Sequence, residues 1–357
     1  MKILYIYDKY PATYQKYLLN LLVMLRKKLT VSTMTYSKTD ASDYSVVSYG
    51  FRDKLQRMLY KFKLSKYPSL DIQIMSKFDI VHLQHSFLWR KLSALETITK
   101  LPKVVVTLRG GDTYIKPWLG SDWQYFYKEK HSLVDAFIVM SQHQKYYLKR
   151  WQVPEEKIHV IPISFGSHSN ALPKYPNTEK LILVSAFRMT WEKNIEGTIE
   201  FARSLKEQNI DFEFDIYGDG NDLGQLYYLI DRFGLHEYVF PKGKVDNDIL
   251  KQKLPTYDFF VQLSVSEAFP TSVLEAQSVG LPCVVSDSGG LPEAVIKDRT
   301  ALVASYSDFQ KLTNQIIALW KDKDLYFQFS QDSIKYVNEN FTIEKEVDKL
   351  ENLYKSL

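Results

Sequence analysis

Two carboxylates, Glu267 and Glu275, stand eight positions apart in Ser264-Val-Ser-Glu-Ala-Phe-Pro-Thr-Ser-Val-Leu-Glu-Ala-Gln-Ser-Val-Gly280, directly after the apolar run Asp258–Leu263. Pro270 and Thr271 suit the first positions of a helix, whose unpaired backbone N–H groups attract phosphate. Glu275 then falls in the first helical turn, where its two oxygens can accept hydrogen bonds from a vicinal diol such as ribose. Glu267, ahead of the helix, can meet hydroxyls beyond the phosphate. Phosphate, ribose and a polyhydroxylated group together describe a nucleotide sugar.

Three other segments supply complementary groups. Arg188 and Lys193, in Ala186-Phe-Arg-Met-Thr-Trp-Glu-Lys-Asn194, can offer a forked contact and a point charge to a diphosphate. Gly218, Asp219 and Gly220 form a small-residue turn that lets a ligand approach the backbone. Lys242 lies in Pro241-Lys-Gly243. Two carboxylates beside a diphosphate repel it, and Arg188, Lys193 and the helix start are expected to offset that repulsion.

These groups need elements to hold them. Strand-like and helix-like segments alternate throughout, which predicts a parallel α/β architecture. In the second half the strands read at Leu181–Ala186, Phe212–Tyr217, Val239–Pro241, Asp258–Leu263, Pro282–Ser286 and Ala301–Ala304, and each candidate loop follows one of the first four. In the first half they read at Lys2–Tyr7, Val31–Tyr36, Asp79–Leu83, Lys103–Leu108, Ala136–Met140 and His159–Pro162. Helices are expected between them, among these Tyr14–Leu29, Leu88–Thr99 and Trp123–Leu133. Ser164–Thr178, with Pro173 and Pro176, reads as a linker.

The expected domains are therefore an acceptor-binding Rossmann-like domain over 1–165, a donor domain over 178–335 and a closing helix in 336–357. They should face a central cleft, with ligands at the strands' C-terminal ends. Charge divides the same way: 1–165 holds 26 Lys and Arg against 13 acidic residues, and the remainder 20 against 29, giving +13 and −9. The sequence has no run of 18 apolar residues and a start too quickly polar for a secretory signal, so a cytoplasmic protein is expected. Its single cysteine, Cys283, lies in an apolar segment and reads as a small buried hydrophobe.

The pairing of Glu267 with Glu275, the Arg188…Lys193-Asn loop, Gly218-Asp-Gly220 and Ser286-Asp-Ser-Gly-Gly-Leu-Pro-Glu293 resemble the retaining glycosyltransferases of glycosyltransferase family 4, with the GT-B fold. The resemblance covers the whole chain but is concentrated in 181–304, and is similar to sugar transferases of exopolysaccharide and lipopolysaccharide assembly. It implies that Arg188 and Lys193 bind the donor diphosphate, that Glu275 holds the ribose, and that Glu267 contacts the donor sugar. Ala268, Phe269, Pro270 and Thr271 would line the sugar or distal phosphate with backbone groups, with Gly218, Asp219 and Lys242 completing the donor site. The closing helix is expected to cross back onto the first domain. The mechanism implied is front-face substitution, in which the protein stabilises charge on the leaving diphosphate. No metal or other cofactor is required, because Arg188 and Lys193 supply the positive charge.

The first half matches less closely. Its first loop reads Tyr7-Asp-Lys-Tyr-Pro-Ala-Thr13, without the glycine pair of many relatives. Where many carry His before Gly, this chain has Thr107-Leu-Arg-Gly-Gly-Asp112, as in a subset with Arg-Gly-X-Asp. Arg109 is thus a candidate for stabilising the leaving phosphate or binding an anionic acceptor, with Gly110, Asp112 and His85 on the same side. An Arg109–Asp112 pair internal to the loop is the structural alternative, and His82 and His85 both read as scaffolding before catalysis, with His85 alone also an acceptor-side candidate. Asp246-Asn-Asp248 resembles a metal motif but sits where a helix cap is expected.

Residues 51–64 place Leu55, Met58, Leu59 and Phe62 on one helical face amid Arg52, Lys54, Arg57, Lys61 and Lys63. This is either a helix packed on the core or one lying against anionic lipid at the inner membrane face. Nothing points to nucleic acid. A sugar transferase acting on a glycan or lipid-linked saccharide is the primary expectation. A nucleotide-sugar epimerase and a non-catalytic saccharide-binding protein are the alternatives.

Overall fold

Val, Ile, Leu and Phe dominate the short strands because parallel strands are covered on both faces and leave no room for polar alternation. A computed structural model describes residues 1–11, 16–47, 50–98 and 101–357. The expected loop residue Thr13, the helix start Tyr14 and the helix end Thr99 lie outside the described residues. The chain divides into two compact units, one of residues 1–162 with 346–357, the other of residues 163–345.

In the first unit, seven strands run β1 (Lys2–Tyr7), β2 (Thr30–Thr35), β3 (Tyr44–Ser45), β4 (Ile80–Leu83), β5 (Lys103–Thr107), β6 (Ala136–Val139) and β7 (Ile158–Val160). Their spatial order is β3-β2-β1-β4-β5-β6-β7, every pair parallel. In the second unit, β8 (Leu181–Ala186), β9 (Phe212–Tyr217), β10 (Val239–Gly243), β11 (Phe259–Gln262), β12 (Cys283–Ser286) and β13 (Ala301–Ala304) form a parallel sheet ordered β10-β9-β8-β11-β12-β13. Each order reverses direction once, between β1 and β4 in the first sheet and between β8 and β11 in the second. At such a reversal the connecting helices leave to opposite faces and open a crevice above the strand ends.

The second unit's core is rich in aromatic rings: Phe201, Phe212, Phe214 and Phe259 are fully buried. Each contributes about 1.5–3 kcal/mol of apolar burial. The helix Ile195–Glu207 turns Ile195, Ile199, Ala202 and Leu205 inward, the stripe its spacing predicts. Cys283 is buried and free, and burial pushes its thiol pKa up, so it packs as a hydrophobe. Among the described residues no helix is long and apolar enough to cross a membrane.

Several boundaries differ from expectation. Ser164–Thr178 is not a loose linker but belongs to the second unit. Ser169 N–H donates to Asn338 Oδ1 at 2.8 Å and Asn338 Nδ2 returns a bond to Ser169 O at 2.9 Å. Lys174 N–H donates to Ser330 and Asn177 N–H to Asp258, so the segment's polar groups are taken up by side chains. Residues 336–345 also stay with the second unit, and only 346–357 join the first. There Tyr354 hydroxyl meets Tyr5 hydroxyl at 2.5 Å and His82 Nδ1 at 2.7 Å, all three buried. The expected helix at 88–99 is instead a 3₁₀ segment, Ser86–Thr97, and Trp123–Leu133 divides into a helix Ser121–Lys128 and a 3₁₀ turn.

Candidate functional site

Three neighbouring strands of the second sheet, β9, β8 and β11, end in the loops that carry Gly218, Arg188 with Lys193, and Glu267, while Lys242, expected in a loop, lies within the last residues of the adjoining β10. Two glycines let these loops close on one another. Gly218 has φ +138°, and a Cβ there would collide with the Phe187 carbonyl beside Arg188. Gly289 has φ +59°, and a Cβ would strike the Glu267 carbonyl, which also accepts from Gly290 N–H at 2.8 Å. Asp219 O takes Met189 N–H at 2.9 Å, and Glu192 O takes Val265 N–H at 2.9 Å. Asn194, in the left-handed region at φ 56°, caps the helix Ile195–Glu207 through Gly197 N–H and donates to Leu263 O at 2.9 Å.

Inside this frame Lys193 Nζ pairs directly with Glu267 Oε2, and both side chains are largely buried, at 15% and 14% exposure. Gln262 Nε2 donates to the same oxygen at 2.9 Å, and Ser272 hydroxyl donates to Gln262 Oε1 at 2.8 Å. Arg188 pairs with Glu192 at 3.0 Å, yet its side chain is 71% exposed. It is therefore the cation of this group most able to turn toward a phosphate. Ala268 and Phe269 bury their side chains, leaving backbone atoms as their means of meeting a ligand.

The helix Thr271–Ser278 has Pro270 at its N-cap and no side chain capping it. Pro270 is thus one position earlier than expected. Glu275 is the fifth helical residue and so lies in the second turn, not the first, because a turn holds only 3.6 residues. Its carboxylate accepts from Asn247 Nδ2 at 3.2 Å and pairs with Lys251 at 3.1 Å. Burial raises its pKa above the usual carboxylate value, while Lys251 and Asn247 oppose that rise. Lys242, at the end of β10, pairs with Asp215 at 3.1 Å. Asp246 caps the helix Asn247–Lys253 through Asp248 N–H at 2.9 Å, the cap role expected of it.

Arg188, Lys193, Gly218, Asp219 and Glu267 are thus linked in one braced group, whereas Glu275 and Lys242 each have a separate set of partners. Each of the four cations, Arg188, Lys193, Lys242 and Lys251, has its own carboxylate. Sequence reasoning missed Gln262, Asn247 and Lys251. Gln262 had a signal, being a polar residue inside an apolar strand; the other two sit on a short helix with none.

In the first unit, the rim of β1, β4 and β5 carries the acceptor-side candidates. Arg109 donates through Nε to Gln84 O at 3.2 Å and through NH2 to Gln84 Oε1 at 3.1 Å, and lies over the Tyr17 ring. The expected side-chain pair with Asp112 is replaced by loop bonds. Asp112 accepts from Arg109 N–H, Gly110 N–H and the Ser86 hydroxyl, which holds Gly110 at φ 113°. His82 bridges Tyr354 and Thr107, and burial lowers its pKa to about 3. His85, half-buried and stacked on Phe87, is lowered to about 4 by burial and the Arg109 charge. Both imidazoles are neutral near pH 7.

Both units have known relatives. Residues 13–163 match the family model described as Glycosyltransferase Family 4, and residues 170–336 match Glycosyl transferases group 1. The N-acetyl-alpha-D-glucosaminyl L-malate synthase of Bacillus anthracis is 25% identical over 82% of this chain and 81% of its own length. A UDP-Gal:alpha-D-GlcNAc-diphosphoundecaprenol alpha-1,3-galactosyltransferase of Escherichia coli is 30% identical over 58% of this chain, which spans 56% of that relative. Among solved structures, Anabaena HepE in complex with UDP and glucose superposes over all of both chains with a TM-score of 0.78 at 16% identity, a likeness of fold. With two Rossmann-like units in the GT-B arrangement of strands and both halves matched in order, the chain belongs to the glycosyltransferases of family 4.

Proposed function

We propose that the second unit binds a nucleoside-diphosphate sugar, a UDP-sugar before others, and that the enzyme transfers its hexose-like unit with retained configuration to a glycan or lipid-linked saccharide. The observation that carries this reading is the buried Lys193–Glu267 pair, braced by Gln262 and Ser272 beside an uncapped helix start. A cation, a carboxylate and open backbone N–H groups are what a diphosphate joined to a sugar needs from one site. The names of the Escherichia coli relative and of the HepE complex support a uridine nucleotide.

In the transfer, the bond from the anomeric carbon to the β-phosphate oxygen breaks as the acceptor oxygen bonds to that carbon on the same face. The acceptor proton passes to a phosphate oxygen, and the nucleoside diphosphate leaves. Arg188 and Lys193 stabilise the charge gathering on the leaving group, Glu267 holds sugar hydroxyls, and Glu275 holds the ribose diol. Arg109, with His85, Gly110 and Asp112, serves the acceptor or the leaving phosphate. These cations make a metal unnecessary. The donor comes from the cytoplasm, and a lipid-linked acceptor is met at the inner membrane face.

The test is a thermal-shift screen of nucleotide sugars, followed by transfer assays with and without chelator. One UDP-sugar should raise the unfolding midpoint and give a product with the donor's anomeric configuration, unaffected by chelation. Release of a free epimer without acceptor, or binding with neither transfer nor donor hydrolysis, would overturn the reading.

A further inference from the structure

An amphipathic surface helix ordinarily buries its apolar stripe and shows its charges to water. The helix Phe51–Lys61 does the reverse. Its one fully buried residue is Asp53. Phe51 is 80% exposed, Met58 49% and Leu55 38%, and beyond the helix end Phe62 is 66% and Leu64 75% exposed. On a helical wheel Phe51, Leu55, Met58 and Phe62 share one face, and Asp53, Gln56 and Tyr60 share the opposite one.

The inward face is fixed by polar groups. Asp53 pairs with Arg57 at 2.9 Å across one turn. Gln56 Nε2 donates to Tyr67 O at 3.1 Å and to the Ser65 hydroxyl. The Asp53–Arg57 pair is internal to the helix, whereas the two Gln56 bonds hold it by the side that would normally face solvent, and turning its apolar side inward would break them. Of the stripe Leu55, Met58, Leu59 and Phe62, only Leu59 is half-buried, so the alternative of a helix packed on the core by that face does not hold.

We propose that residues 51–64 lie in the headgroup layer of an anionic lipid bilayer, with Phe51, Leu55, Met58, Phe62 and Leu64 entering the acyl boundary. Charge selects that occupant. Arg52, Lys54, Arg57, Lys61 and Lys63 surround the apolar face, while the segment's one acidic residue, Asp53, is turned inward. An outward apolar strip bordered by cations matches a surface that is oily below and negative above. The position would bring a soluble catalytic unit to lipid-linked acceptors without a spanning helix.

Co-sedimentation of the full chain with phosphatidylcholine vesicles, with and without phosphatidylglycerol, tests this. Binding should require the anionic lipid and weaken with salt. Replacing Arg52, Lys54 and Lys61 with Gln should reduce partitioning roughly 100-fold, at about fivefold per charge. Arg57 is spared because Asp53 needs it. Phe51→Ser with Phe62→Ser should reduce binding at least about tenfold. Both sets alter exposed side chains, so the unfolding midpoint and calorimetric nucleotide affinity should stay unchanged; that affinity also tests the donor reading separately. Binding that is equal on neutral and anionic vesicles, or unchanged in the Phe51→Ser, Phe62→Ser variant, overturns the proposal. So does a concentration-dependent dimer in light scattering that the same variant dissolves, which would assign the face to a second copy of the chain.

Discussion

The two strand-end rims handle charge in opposite ways. In the second unit every cation of the candidate donor site is matched: Arg188 with Glu192, Lys193 with Glu267, Lys242 with Asp215, Lys251 with Glu275. In the first unit the groups that hold the Arg109 guanidinium, Gln84 and the Tyr17 ring, are uncharged. A neutralised rim suits a ligand that brings both phosphates and hydroxyls, because each carboxylate has a use and each cation can be shared. A rim whose guanidinium rests on uncharged groups suits an anion. The contrast teaches that net charge per domain, +13 against −9 by halves of the sequence, does not locate the anion site; local pairing does.

Breaking the contrast at its strongest point should give the largest effect. Glu267→Ala removes the sugar contact and leaves Lys193 without its partner, so turnover should fall roughly 100-fold or more while nucleotide affinity changes little. Equal losses in kinetics and calorimetry would contradict the assignment. Arg188→Ala should lower turnover or donor affinity about 10- to 100-fold, since a charge-assisted hydrogen bond contributes roughly 1.5–3 kcal/mol. Arg109→Gln sharpens the comparison: about tenfold loss in transfer is expected, with binding of the nucleoside diphosphate alone unchanged. A matching loss of nucleotide affinity would contradict an acceptor role for Arg109.

The smallest effect concerns acidity. In the proposed site the ionised Glu275 accepts from the ribose diol, and burial raises its pKa. Nucleotide affinity should therefore weaken as pH falls, beginning above the range of an ordinary carboxylate, by about tenfold when protonation is complete. Glu275→Gln should flatten that dependence; an unchanged profile would remove Glu275 from ribose binding.

Much of the donor side was legible because strand ends announce themselves. An apolar run followed by Arg, Gly or Glu places that residue at the rim, and the neighbouring order of β10, β9, β8 and β11 brings the four rims together. What a sequence lacks is direction through space. Asn247 reaches Glu275 across 28 positions, and no periodicity encodes that meeting. The spacing of Leu55, Met58 and Phe62 revealed an apolar face but not which way it points, since an amphipathic pattern is defined about the helix's own axis. Pro173 and Pro176 made 164–178 read as a linker, whereas Asn338, Ser330 and Asp258 tie it down from distant parts of the sequence. Glu275 was expected in the first turn but stands fifth in the helix, and counting from Pro270 would have set it deeper still.

Residues 346–357 supply Val347, Leu350 and Tyr354 to the core of a unit whose other members were synthesised first. On the ribosome, the amino-terminal half must therefore wait, with Tyr5 and His82 unsatisfied, until the whole intervening unit has emerged. Shortening the chain by those residues should damage the distant half of the molecule and spare the adjacent one.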